Sequence, residues 1–229
     1  CQTIGQSNSR REDGTFVVPR ETIAKEFLRA LVYDPVRLFD LWDESGAFTH
    51  LIPELLAMKG CPQPAQFHSE GDVWIHTRLA LSQLTTPAFR SEFGDPFDAQ
   101  TALSVLLHDI GKPLTLQTPE KEGVDRIRFN NHDHVGARLS REIVCRLKLT
   151  SLPKEGRYAV DENDLAWLIE KHLILVHGEV DLMRASTIEK YFLRADGLGQ
   201  RLMQLIFCDG NATVPEANPA EMRHYYQLK

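Results

Sequence analysis

The stretch Leu-Leu-His-Asp-Ile-Gly-Lys-Pro at residues 106–113 constrains this chain more than any other. Just upstream, Ala102, Leu103, Val105, Leu106 and Leu107 form an apolar run at helical spacing, which predicts a buried helix. Asp98 is a good N-cap for it, and Gly111 with Pro113 forces it to stop. The helix therefore ends by presenting His108 and Asp109 together. Adjacent helical residues point about 100° apart, too far to share a face but close enough to converge on one ion. An imidazole and a carboxylate there can bind a divalent metal, and Lys112 can reach an anion held by it. The dipeptide alone carries little weight, since His132-Asp133 is a second one.

The rest of the chain reads mostly as helices. Residues 1–19 are polar and predict a flexible lead-in. A stripe of Ile23, Phe27, Leu28 and Leu31 predicts an amphipathic helix over 21–33, and Asp34-Pro35 caps another over 36–44. A third is expected over 48–58, then a loop at 61–69 that feeds His68, then a helix over 72–84 carrying His76. Residues 87–96 read as a loop. Segments 114–118 and 126–130 flank a charged turn and predict the chain's one β-hairpin. Helices are expected over 132–147, with Asn130 or Asn131 as N-cap, and as one long unit over 161–176. Two more fall at 185–194 and 198–211, and the tail from Val214 reads as loosely packed. This divides the chain into a lead-in (1–19), an N-terminal helical segment (20–66), a main domain (67–215) and a tail (216–229).

Polar residues on apolar faces are the candidate chemistry. His172 faces inward among Leu165, Leu168, Ile169 and Val176, where an unpaired imidazole is awkward; a core hydrogen bond or a metal would solve that. Asp209 interrupts Leu202, Leu205, Ile206 and Cys208 and needs a partner, because an isolated buried carboxylate costs several kcal/mol in desolvation. His132 and His134 both open one helix. A net charge of −6 disfavours broad nucleic-acid binding driven by counterion release, although a local basic rim is compatible with it. No run reaches the roughly 18 apolar residues of a membrane span. The four cysteines form no Cys-x-x-Cys pair; Cys145 and Cys208 read as buried free thiols, which suits a reducing cytoplasm. The missing initiator Met reads as processing, truncation or a fragment; an N-terminal Cys is also what a bacterial lipoprotein shows after signal removal, a reading no other residue supports. No Walker-type glycine loop or Gly-x-Ser-x-Gly elbow is present.

Six segments occur in a telling order: PELLAMKG (53–60), FHSEGDVWIHT (67–77), LLHDIGKP (106–113), RFNNHDHVGA (128–137), LIEKHL (168–173) and LIFCDGNAT (205–213). Together they resemble the HD-domain metal phosphohydrolases of the HDIG branch, and within it the HD region of bacterial tRNA nucleotidyltransferases and poly(A) polymerases. The resemblance covers roughly residues 20–215. It implies an all-α HD-type helical bundle with one small β-hairpin and a central site. It implies that His76, His108, Asp109 and Asp209 hold a divalent ion, while His132 and His172 hold a second ion or the phosphate. It selects His132 over His134 and Asp209 over Asp196; Asn131 stands where the family usually has Gly. Two ions bridged by Asp109 are expected, and mixed imidazole and carboxylate ligands suit Mn, Fe, Co, Ni or Zn better than Mg. The implied reaction is hydrolysis of a nucleotide-type phosphoester, a phosphomonoester or 2′,3′-cyclic phosphate, by a metal-activated hydroxide. Asp109 and Lys112 would be catalytic, with Lys112 and His68 toward the substrate, a small phosphoester or nucleotide, or an RNA end. No Gly-Gly turn followed by paired aspartates on a strand is present, so nucleotide addition is not carried by this stretch alone. The rival is a non-catalytic, RNA- or subunit-binding HD region of a tRNA nucleotidyltransferase-like protein; the acidic charge and intact ligand set weigh against it.

Overall fold

Apolar residues recur at three- and four-residue spacing between the turn formers, and the chain accordingly folds almost wholly into helices. A computed structural model describes residues 9–12, 14, 16–94, 97–177, 180–213 and 219–229. The helices run α1 (Arg20–Tyr33), α2 (Pro35–Glu44), α3 (Ala47–Leu51), α4 (Pro53–Leu56), α5 (Val73–Gln83), α6 (Pro87–Phe93), α7 (Ala99–Leu107) and α8 (Lys112–Thr115). Strand β1 (Leu116–Gln117), helix α9 (Pro119–Glu122) and strand β2 (Arg128–Phe129) follow. Then come α10 (His132–Leu147), α11 (Glu162–Lys171), α12 (Ile174–His177), α13 (Ala185–Tyr191), α14 (Leu198–Gly210) and α15 (Pro219–Leu228). The expected all-α class with one hairpin is what is found; β1 and β2 are antiparallel, with Leu116 opposite Phe129. Among the described residues no helix is long and apolar enough to cross a membrane.

Helix α7 is the axis. All nine of its residues are buried, and α1, α5, α11 and α14 pack around it. Asp98 caps it, accepting the Thr101 N–H at 2.8 Å, and ties it to α14 through Arg201 at 2.8 Å. The polar groups it buries are satisfied: Thr101 donates to Gln204 on α14 at 2.8 Å, and Gln100 bonds the Asp161 backbone on both sides. An aromatic cluster of Phe27, Phe39, Trp42, Phe48 and Trp74 fastens the N-terminal helices to α5, with ring centroids 4.2–5.8 Å apart.

Several local expectations change. The helix expected over 48–58 is two, because Pro53 lacks an N–H and drives Ile52 out of helical geometry to φ −138°. Residues 87–93 are helical rather than loop; Thr86 accepts the Phe89 N–H at 3.1 Å ahead of a proline at the first helical position, and 95–96 lie outside the described residues. The long helix over 161–176 stops at Lys171 and restarts at Ile174. Asn131 precedes α10 with φ +62° and makes no side-chain cap; that left-handed geometry suits Gly and is tolerated by Asn. Cys145 is exposed, being off the inward stripe of Ile143, Val144 and Leu147, whereas Cys61 and Cys208 are buried. The tail is not loose where described: Tyr225 of α15 is 1% exposed, packs on Phe207 and donates to Glu92 at 2.9 Å, while 214–218 lie outside the described residues. Of the lead-in, residues 1–8, 13 and 15 lie outside them too; Arg10 and Phe16 form a β-bridge, and the Phe16 ring lies 4.3 Å from both the Arg10 and Arg20 guanidinium carbons.

The turn after α7 makes the tightest contact relevant to the site. A Cβ on Gly111 would lie 2.1 Å from the His132 carbonyl oxygen and 2.7 Å from the Gly136 nitrogen. Both neighbours are backbone, so nothing flexible can move aside. Gly111→Ala should therefore destabilise the protein by about 1–3 kcal/mol or more and push His132 out of place. Denaturant unfolding and a divalent-metal titration check this; unchanged values in both would show that the turn relaxes freely.

Candidate metal centre

Helix ends and their flanks deliver the polar groups to one point. His108 caps the C-terminus of α7 and Asp109 follows it; His132 opens α10, His172 caps α11, His76 lies in α5 and Asp209 in the last turn of α14. His76, His108 and His172 are 0% exposed and Asp109 1%. Three of the rings are held alike. Nδ1–H donates to the carbonyl three residues earlier: His108 to Val105 at 2.8 Å, His132 to Phe129 at 2.8 Å and His172 to Ile169 at 2.6 Å. A carbonyl only accepts, so the proton is on Nδ1 and, in the neutral ring, the lone pair is on Nε2. All three Nε2 atoms are buried without a hydrogen-bond partner. Leaving one such atom unsatisfied costs about 1–3 kcal/mol, and the three converging ring nitrogens do not satisfy one another. A divalent cation would, so this donor set fits a metal.

Asp109 is the common member. Its Oδ2 lies 3.2 Å from His108 Nε2 and 3.9 Å from His76 Nε2; its Oδ1 lies 3.4 Å from His132 Nε2 and 4.0 Å from His172 Nε2. Asp209 Oδ1 sits 2.8 Å from His76 Nε2 and 3.5 Å from His108 Nε2. Among the described residues the potential ligands form three groups, His68/Glu70/His76, His76/His108/Asp209 and Asp109/His132/His172, each with ligand atoms within 4.8 Å of one another; the last two meet at the centre. His134 is exposed, 3.9 Å from Glu170, and Asp196 pairs with Arg194 at 2.6 Å; neither is among these ligands.

Lys112 is buried, with Nζ 2.7 Å from Asp109 Oδ2 and donating to Gln63 at 2.7 Å. It is thus a counter-charge to Asp109 as well as part of the cleft wall. His68 is on that wall too, and its Nδ1 lies 2.8 Å from Glu70 Oε1. The same oxygen lies 2.8 Å from His76 Nδ1, so Glu70 fixes the His76 tautomer with Nε2 toward the centre. Sequence reasoning missed Glu70 and Gln63; both lie in loops, where no periodicity marks an inward side chain.

Electrostatics differ sharply from ring to ring. Burial opposes charge on His108, but the Asp109 and Asp209 carboxylates outweigh it and raise its pKa to about 10. At His172 burial prevails, reinforced by His132 and His108, and the pKa falls to about 4. Asp109 and Asp209 stay well below the usual carboxylate range despite burial, chiefly because of His108.

A cleft of about 970 Å³ opens onto these groups, walled by Phe67, Arg126, Arg128, Phe129 and Val176 among others. Metal binding at pH 7 must displace the His108 proton, and His76, whose pKa Asp209 and Glu70 raise against burial, adds to the release, so on the order of one proton or more per chain should be released. Calorimetry in buffers of different ionisation enthalpy reads this number directly, and zero release would contradict the charge assignment. Glu70→Ala should leave the helical content alone and weaken divalent-metal binding about 10–100-fold; unaltered affinity would reduce Glu70 to a loop contact.

A family model described as HD domain matches residues 74–206. Among curated proteins the chain is similar to the Multifunctional CCA protein of Alkalilimnicola ehrlichii, 35% identical over 171 residues, covering 74% of this chain and 36% of that protein. The proteins of the same name from Alcanivorax borkumensis and Dechloromonas aromatica are 34% and 30% identical, over 77% and 82% of this chain and 37% and 42% of theirs. The chain thus spans about two fifths of the length of these relatives.

Proposed function

This chain belongs to the HD-domain family, and from that premise we propose that it is a metal-dependent phosphohydrolase acting on a nucleotide-type phosphoester, either a phosphomonoester or a 2′,3′-cyclic phosphate. The observation that carries the reading is the trio of buried, unpartnered Nε2 atoms of His108, His132 and His172 converging on Asp109. His76, His108, Asp109 and Asp209 would hold one divalent ion, and Asp109, His132 and His172 a second. When bound, such ions supply Lewis acidity toward a phosphoryl oxygen and acidify water toward neutrality. Imidazole-rich ligation favours Mn, Fe, Co, Ni or Zn over Mg.

The chain's own groups do the rest. Asp109 orients both halves of the donor set, so it is the catalytic residue with the largest expected effect. Lys112 meets the substrate phosphate as a point charge while balancing Asp109. His68, steadied by Glu70, offers Nε2 to the substrate from the wall. The free thiols of Cys61, Cys145 and Cys208 suit a reducing cytoplasm.

A second reading is favoured by the length comparison: the chain would be the HD part of a tRNA nucleotidyltransferase-like protein, binding RNA or the rest of that protein without turnover. A panel of phosphoesters, assayed with each divalent metal, separates the two. Hydrolysis by the wild-type chain that disappears in both His108→Ala and Asp109→Ala, with helicity intact, supports the enzyme. Wild-type rates in Asp109→Ala would sink the mechanism, and Lys112→Ala should mainly raise KM. Metal analysis of chelator-free protein should find two equivalents, falling to about one in His172→Ala; saturation at one in the wild type would overturn the two-ion centre.

A further inference from the structure

We propose that Phe67 is the platform on which the substrate's nucleobase stacks, so that this cleft selects nucleoside phosphoesters over base-free ones. The proposal rests on the phosphohydrolase reading above and names the group that reads the non-reacting part of the substrate.

Of the eleven phenylalanines in the chain, all described, Phe67 alone is exposed, at 53%. A ring left in water forfeits burial worth roughly 1.5–3 kcal/mol, and it does so on the wall of the same cleft that holds Asp109, His132 and His172. The backbone beneath it is held. The N–H groups of Phe67 and His68 both donate to the Pro64 carbonyl, at 2.9 and 3.0 Å, in a loop stiffened by Pro62 and Pro64. The neighbouring His68 ring lies edge-on to His76 at 4.9 Å, and Glu70 holds both rings. Phe67 is therefore in fixed register with the metal ligands. Val176, another large apolar side chain left exposed (42%), lines the same cleft, and Arg126 and Arg128 line it as well, each near Asp125.

The cations Lys112, Arg126 and Arg128 and an exposed aromatic face on one cleft match a phosphate joined to a flat π-system. A nucleobase has that flat face, and base–aromatic stacking tolerates any base. A polyol phosphate gains nothing from Phe67, and a base-free diester gains nothing either.

The test compares kcat/KM for adenosine 3′-monophosphate with that for glycerol 2-phosphate in the metal-loaded chain. Phe67→Ala should lower this preference about tenfold, through KM for the nucleotide, and Phe67→Trp should restore it. An unchanged preference in Phe67→Ala overturns the platform. Calorimetric binding of adenosine 3′-monophosphate to metal-free protein separates this from failure of the enzymatic reading. If neither ester is hydrolysed yet Phe67→Ala binds the nucleotide about tenfold more weakly, the platform stands and the phosphohydrolase reading falls. Equal affinity of the two proteins overturns the platform.

Discussion

A carboxylate 1% exposed at the centre of a helical bundle has to be compensated, and the fold converges on Asp109 to do it. Lys112 supplies a full charge at 2.7 Å, and His108, His132, His172 and His76 surround the two oxygens at 3.2–4.0 Å. These partners come from α5, α7, the turn into α8, and the ends of α10 and α11. Moving any of those elements outward would strand a buried charge, so the centre and the packing of the bundle are one constraint. The same donors are the candidate metal ligands, which couples metal affinity to folding stability.

Without metal, protons take the place of ions, and the ring pKa values bound stability on both sides. His108, raised to about 10, contributes stability that is complete below the unfolded value near 6.5 and lost as pH climbs toward 10. His172, lowered to about 4, contributes stability that is present above about 6.5 and lost as pH falls toward 4. Asp109 and Asp209 add to the acid side, because their depressed values mean stability lost as they are protonated. These four groups together favour the metal-free fold most near neutrality, where His108 carries a proton that a cation must replace.

The sequence made the axis legible because its signals are local. The apolar run of α7, the Asp98 cap and the Gly111 stop can each be read from neighbours in the chain, and they carry His108 and Asp109 with them. Other local signals are as close in the chain: Pro53 splits α3 from α4, and Thr86-Pro87 starts α6. Cys145 could have been placed outside by applying the helical period to Ile143, Val144 and Leu147. Glu70 and Gln63 belong to a different class. Their partners, His76 and Lys112, are six and forty-nine residues away, and only the folded loop brings them together.

The economy of the site lies in what helix ends leave over. The last turn of a helix has carbonyls without intrahelical partners. His108 and His172, each one residue past its helix, fold back onto the Val105 and Ile169 carbonyls three positions earlier. One hydrogen bond then does two things: it satisfies a terminal carbonyl and commits Nδ1 to donating, turning Nε2 to the centre. His132 begins a helix and has no preceding turn to use, so β2 provides the carbonyl instead, through Phe129. That gives the two-residue hairpin a purpose beyond linking α8 to α10. It pins Phe129 through Leu116, and Phe129 in turn sets the ring of His132. The helix breaks that shortened α11 relative to its apolar period are therefore not irregularities in the bundle; they are where its backbone becomes available to orient imidazoles.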